Sequence, residues 1–152
     1  MKLSYKKPAK KQYPQVLELI LKATKSYETM PAFSGHYTME RLRSNPMKRK
    51  YRILVHNDKI VGFASWKIRA GGLAWLSQFY IDPAYQRRGC GQEFLKKIEN
   101  EASLLSNYMV LEYWPDAPWA KNFFYKNGYK EMPRIFKSKS TYTKVVCKKI
   151  RG

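Results

Sequence analysis

Two cysteines, two histidines and eleven carboxylates are all that 152 residues supply of the side chains most enzymes use for chemistry. Cys90 and Cys147 are too few for a disulfide framework. His36 and His56 stand in no H-x-x-x-H pattern and no C-x-x-C occurs, so a metal centre is not expected. Ser65 and Ser77 fall in strand-like runs, and no G-x-S-x-G turn is present to lift a nucleophilic serine. The best apolar run, VLELILKA, is broken by Glu18 and Lys22 and is far shorter than a bilayer span. Lysines in MKLSYKKPAKKQYP are not followed by the apolar stretch of a signal peptide. Repeats, low-complexity tracts and Ser/Gly-rich linkers are absent too. What remains is the profile of one reduced, soluble, cytoplasmic domain over residues 1–152, long enough to bury a core.

The scarcity of acid has a counterpart. Thirty Lys and Arg against eleven Asp and Glu leave a formal charge of +19. A field of that size attracts anions in general, from phosphate-bearing cofactors to RNA, ribosomes and acidic membranes. The basic residues are spread from Lys2 to Arg151, however, with only KKPAKK and MKRK clustered. Such a surface also serves solubility alone. Charge by itself names no partner.

Periodicity gives the order of elements. LSYKK suits a first strand. After Pro14, residues Leu17, Ile20, Leu21 and Thr24 recur at helical spacing. Pro31 and Gly35 mark a loop, and Thr38 is a fitting N-cap for a short helix that stops at Asn45-Pro46. YRILVH and KIVGFASWKIR are β-rich runs joined by the hairpin dipeptide Asn57-Asp58. Gly71-Gly72 then turns the chain into LAWLSQFYI. A helix with Phe94, Leu95, Ile98, Ala102 and Leu105 on one face leads to the strand YMVLEYW, which a helical connection makes parallel to its predecessor. WAKNFFYKNG reads as a helix closed by Gly128, and YKEMPRIFK and TYTKVVCKKI as two last strands. The order βααβββαβαββ predicts an α/β fold: a mixed, mostly antiparallel sheet of six or seven strands with about four helices.

One junction stands out. In YIDPAYQRRGCGQEF a strand runs into two arginines and two glycines and then a helix. Unpaired N–H groups at a helix start attract anions. Gly89 and Gly91 would let a pyrophosphate approach the backbone, and Arg87 and Arg88 add charged donors at the rim. The same residues would also suit a plain turn that needs flexible glycine. Phe94 occupies the last position of a dinucleotide fingerprint, and no Walker sequence is present.

Gln86-Arg87-Arg88-Gly89-Cys90-Gly91 after FYIDPAY resembles the acyl-CoA motif Q/R-x-x-G-x-G/A of the GNAT acetyltransferase superfamily. KIVGFASW, LSQFYIDPAYQRRGCG, MVLEYW and FFYKNGYKE resemble successive family segments in the family's order, most specifically from Leu76 to Glu131. The resemblance implies acyl transfer from acetyl-CoA to an amine: a small molecule, a peptide N-terminus or a lysine. Phe79, Tyr80 and Ile81 would pair with the pantetheine arm, and the pyrophosphate would lie on Arg87, Arg88, Gly89, Cys90, Gly91 and Gln92. Cys90 is a spacer in that motif, although a helix N-terminus can activate a thiol.

For catalysis the resemblance implies Tyr125 as the acid for the leaving thiolate and Glu112 as a base for the amine. A backbone N–H of the fourth strand would stabilise the oxyanion. Tyr125 could equally be a core aromatic, and Glu112 a strand-end carboxylate paired with lysine. In this chain Pro118 stands where many relatives carry an asparagine seven residues before the tyrosine. Asp116 and Asn122 are the nearby polar substitutes. His36 lies in a loop that could cover the acceptor pocket, with residues 26–44 and the segment FKSKST as further acceptor contacts. A non-catalytic GNAT-like protein that uses its basic surface on RNA or ribosomes is the alternative.

Overall fold

Turn chemistry and alternation build the first half of the sheet. The computed structural model describes residues 1–30, 33, 35–115, 117–132 and 143–152. Strand β1 (Ser4–Lys6) pairs with β2 (Lys50–His56), which pairs with β3 (Lys59–Arg69). Asn57 and Asp58 take φ of 48° and 62°, the left-handed pair that a two-residue hairpin requires. Gly71 and Gly72, at φ of 91° and 76°, reverse the chain into β4 (Leu73–Ile81).

The helix α3 (Cys90–Ala102) then crosses over, so β5 (Tyr108–Tyr113) lies parallel to β4. After α4 (Pro118–Lys126) the short β6 (Lys130–Glu131) takes the edge, and β7 (Lys144–Lys149) slots between it and β5. The sheet order is β1-β2-β3-β4-β5-β7-β6, antiparallel except at β4–β5. This is the predicted α/β layout in the predicted order. Of the expected strand YKEMPRIFK, Lys130–Glu131 is strand, and Pro133–Lys137 lie outside the described residues.

Each face of the sheet carries its own core. Helices α1 (Tyr13–Ala23) and α2 (Met39–Ser44) bury Val16, Leu19, Ile20 and Leu42 against Ile53 and Phe63. On the opposite face Phe94, Leu95 and Ile98 of α3 meet Val61, Leu76 and Leu111, each such burial being worth about 1.5–3 kcal/mol. Thr38 caps α2 as expected, its hydroxyl accepting the Arg41 N–H at 3.2 Å.

Two expected faces need correction. In α1 the buried stripe is Val16, Leu19 and Ile20, while Leu21 is exposed. Ile20 is buried as expected and Leu17 packs half-buried on the same core, so the stripe is centred one residue back and only Leu21 is turned out of it. Leu105 is 59% exposed because α3 ends at Ala102, before its turn could bring that side chain round. Among the described residues no helix is long and apolar enough to cross a membrane.

Candidate active site

The site starts with a failure of pairing. β4 and β5 run in register only at Ala74–Met109, Trp75–Val110 and Leu76–Leu111. Past Leu76 they separate, so among the described residues the β5-facing edge of 77–81 has no strand beside it. At the same point β4 carries a bulge: Ser65 pairs with Gln78 and Trp66 with Leu76, which leaves Ser77 extra. One added residue shifts the alternation by one. Ala74 and Leu76 face the α3 side before the bulge, and Phe79 and Ile81 face it afterwards. Tyr80 packs on the α1–α2 side instead. Phe79 stacks on Phe94 of α3 and Phe123 of α4 at 5.5 and 5.7 Å between ring centroids. Phe79, Tyr80 and Ile81 therefore lie along the open edge of β4.

The strand delivers the chain to the glycine loop through Asp82, which is 1% exposed. Its N–H donates to the Val61 carbonyl at 2.8 Å, and its Oδ1 accepts the Ala84 N–H at 2.9 Å. Lys22 and Lys59 flank Oδ2 at 3.2 and 3.5 Å. Burial alone would raise this carboxyl, but the Ala84 N–H and Lys22 outweigh it, and the net shift is downward.

Gln86 ties the loop back by donating from Nε2 to the Ile81 carbonyl at 3.2 Å. Arg87 takes φ of 60° and Gly89, the N-cap of α3, φ of 83°. The helix's first internal bond runs from the Glu93 N–H to the Gly89 carbonyl at 3.1 Å. The N–H groups of Cys90, Gly91 and Gln92 point ahead of it, as at any helix start. Arg87 and Arg88 are exposed, and Arg88 rests on the Tyr85 ring at 5.0 Å. Arg87 to Gln92, the residues expected to hold a pyrophosphate, thus lie together at the start of α3.

Cys90 lacks both the exposure and the lowered pKa of an activated thiol. It is 1% exposed in the α3 core, and burial pushes its thiol upward despite the opposing charge of Arg88. Gly91 has a packing reason of its own: an added Cβ would lie 3.2 Å from Phe123 Cε1 and 3.7 Å from Ile81 Cγ1.

Between the splayed strands opens a cleft of about 380 Å³. Gln78, Phe79 and Tyr80 of β4 line one side, Leu111, Glu112 and Tyr113 of β5 the other, and Ala117, Ala120 and Phe124 close it from α4. Glu112 reaches the cleft, where Thr143 donates its hydroxyl to Oε2 at 2.8 Å. The carboxylate is exposed.

Tyr125 is not among the residues lining the cleft. Its hydroxyl approaches Glu131 Oε1 at 3.5 Å, with Lys121 over its ring and Tyr113 edge-on at 6.4 Å. Phe124, one residue earlier, occupies the cleft instead. The tyrosine of β5 that does line it is Tyr113, whose pKa is pushed up to about 12 by burial and by the neighbouring Tyr125 hydroxyl. The helical spacing Ala117, Ala120, Phe124 was the available signal, since it fixes which side of α4 meets the sheet.

The remaining wall comes from the α1–α2 side: Thr24, Tyr27, Phe33, Gly35, Tyr37 and Arg41. Sequence reasoning pointed to this stretch but singled out His36, which turns to Glu28 at 3.7 Å and does not line the cleft. Arg41 gave no motif to read. Asn122 is exposed on α4, while Asp116 and the segment FKSKST lie outside the described residues. Among the described residues no cluster of His, Cys, Asp and Glu is placed to hold a metal.

A sequence profile of the acetyltransferase (GNAT) domain matches residues 48–131. PaiA N-acetyltransferase from Thermoplasma acidophilum, solved in complex with coenzyme A, superposes over 98% of this chain and 99% of its own, with 19% identity and a TM-score of 0.80. The ribosomal-protein-S18-alanine N-acetyltransferase of Escherichia coli matches over 99% and 96%, at 18% identity and a TM-score of 0.77. An acetyltransferase of the GNAT family from Staphylococcus aureus matches over 98% and 99%, at 14% identity and 0.81. At these identities the structural likeness is one of fold. No curated protein sequence matches the chain.

Proposed function

Because the chain belongs to the GNAT family of acetyltransferases, we propose that it moves the acetyl group of acetyl-CoA to a primary amine by direct attack within a ternary complex. The observation that carries this reading is the succession of three features between Leu76 and Cys90: the end of β4–β5 pairing at Leu76, the bulge at Ser77 and the glycine-led start of α3. An open strand edge can pair with an amide-bearing pantetheine arm. The N–H groups of Cys90, Gly91 and Gln92 suit a pyrophosphate, and Gly89 keeps the approach to them clear.

In this reading the chain's own groups divide the work. Backbone N–H of the β4 edge holds the carbonyl oxygen and stabilises the charge that develops on it. Glu112, anchored by Thr143, takes a proton from the acceptor's ammonium, directly or through water, and so frees the amine that attacks. Tyr113, with Tyr125 behind it, supplies a hydroxyl proton to the departing sulfur. Thus the acid role expected of Tyr125 falls to a pair of tyrosines. Alignment of both substrates in the cleft supplies much of the acceleration.

Thermal denaturation with and without acetyl-CoA or CoA tests the reading. A specific ligand at a hundred times its dissociation constant stabilises by about 2.7 kcal/mol, a shift of several degrees. The net charge of +19 keeps an anionic polymer in view, so RNA belongs in the same experiment at two salt concentrations. If neither acetyl-CoA nor CoA moves the transition while RNA does so in a salt-dependent way, the protein is a binding module and not this enzyme.

A further inference from the structure

The charge around the cleft is unevenly placed. Its carboxylate, Glu112, stands on β5, whereas Arg41 lines the opposite wall with its guanidinium over the Tyr37 ring at 5.2 Å. A second arginine lies behind that wall. Arg49 is clamped through its backbone by Asn45, which accepts the Arg49 N–H at 2.9 Å and donates to its carbonyl at 2.7 Å. Its Nε is fully buried and has no hydrogen-bond partner. The charges of both arginines reach the Tyr80 hydroxyl in the cleft, where they oppose the rise that burial imposes on it. Among the described residues no carboxylate lies within ion-pair distance of either guanidinium.

Arg41 is exposed at the cleft, where its charge is open to an anionic group, and the buried, unpartnered Nε of Arg49 belongs to a second positive group behind it. The walls between the two poles are aromatic: Tyr27, Phe33, Tyr37 and Trp114. We infer that the acceptor is a small amine that also carries a carboxylate, an amino acid or close analogue with an apolar or aromatic side chain. Its amine goes to Glu112, its carboxylate to Arg41 backed by the charge of Arg49, and its side chain to the aromatic walls. Polyamines are disfavoured by the same arrangement, because their second cation would face arginine. This deepens the acetyl-transfer reading and rests on it.

Steady-state acetylation of L-phenylalanine, L-phenylalaninamide, spermidine and a short neutral peptide at saturating acetyl-CoA tests the inference. The expected order puts L-phenylalanine first, with kcat/KM tenfold or more above its amide. That order runs against intrinsic reactivity, since the amide's amine is the less basic and is more fully deprotonated at neutral pH. Arg41→Gln should raise KM for L-phenylalanine at least tenfold and leave the amide's KM unchanged. Arg49→Lys is the gentler companion, should Arg49→Gln fail to fold. An amide or polyamine that equals or beats the acid, or a preference that survives Arg41→Gln, overturns the inference.

Calorimetric binding of L-phenylalanine without acetyl-CoA separates the two layers. Binding that Arg41→Gln abolishes supports the carboxylate site even if acetyl-CoA neither binds nor reacts. Acetyl-CoA binding with no amino acid bound or acetylated sinks this inference alone.

Discussion

Gly89 and Gly91 stand two residues apart in the same loop, yet their geometry predicts opposite costs for the same substitution. Gly91 has helical backbone, where alanine is better than glycine by about 0.5–1 kcal/mol. Against that gain, the new methyl would sit 3.2 Å from Phe123 Cε1, a few tenths of an ångström inside ordinary contact. Phe123 is half-buried among Trp119, Phe124 and Phe79, and a small tilt of its ring relieves the approach. Gly91→Ala should therefore leave stability within about 1 kcal/mol of wild type. Gly89 has open space around it, with nothing within 4 Å of an added Cβ, but its φ of 83° strains any L-residue. Gly89→Ala should cost about 1–2 kcal/mol with no packing change.

Gly91→Val adds two branches against Phe123 and Ile81, and overpacking of that kind costs roughly 1–3 kcal/mol. The displaced ring and the branched side chain also crowd the N–H groups of the first turn, so CoA affinity should fall at least tenfold. Urea denaturation measures the stabilities and calorimetry the CoA affinity, both on folded protein. Wild-type stability and CoA affinity in Gly91→Val would refute both the Phe123 contact and the pyrophosphate cradle. Equal costs for Gly89→Ala and Gly91→Ala would show that the loop's backbone geometry is misread.

Three further outcomes are expected. Glu112→Gln should lower kcat by roughly 10²–10⁴-fold at neutral pH, with partial recovery as pH rises and the amine arrives deprotonated; wild-type rates would remove Glu112 from the base role. Tyr113→Phe should lower kcat with no rescue at high pH, and Tyr125→Phe should have a smaller effect, because Tyr113 lines the cleft and Tyr125 does not; the reverse order would return the acid to Tyr125. Glu101 accepts from Arg52 and Tyr5, and although burial pushes its carboxyl upward these donors hold it below 4.5 on balance. The contribution is thus complete above pH 4.5 and fades as acid takes pH through the lowered value. Side-chain exposures of 15% and 28% discount this pair, and Glu101→Gln should cost about 2 kcal/mol at pH 7 and little near pH 2 in urea titrations.

Most of the fold was legible because its signals are local. Asn57-Asp58 and Gly71-Gly72 specify turns by their allowed φ, and Thr38 specifies a helix start by its hydroxyl. The misread faces fail for a non-local reason. Leu17 and Leu21 have the same four-residue spacing as Val16 and Ile20, and only the sheet decides that Leu21 is the one turned outward. The loop from Arg87 to Gln92 was legible as a motif because its geometry rests on glycine, at the positive φ of Gly89 and at the close approach of Phe123 to Gly91. The cleft positions of Tyr113 and Arg41 were not, since nothing in the spacing of one chain says which tyrosine or arginine lines a cleft.

The bulge at Ser77 shows how one residue that leaves no sequence signature decides the site. Without it, strict alternation would carry Gln78 and Tyr80 to the α3 face, and Phe79 and Ile81 to the α1–α2 face. Phe79 would then lose its stacking on Phe94 and Phe123, and Ile81 its place under the loop. A polar residue and a phenol would enter the α3 core without the partners that burial demands. Packing on both faces therefore fixes the extra residue where it stands, and the same kink turns β4 away from β5. The opening that the chemistry needs is held by the hydrophobic cores on either side of it, so residues such as Phe79 and Phe123 keep the cleft open without touching the amine.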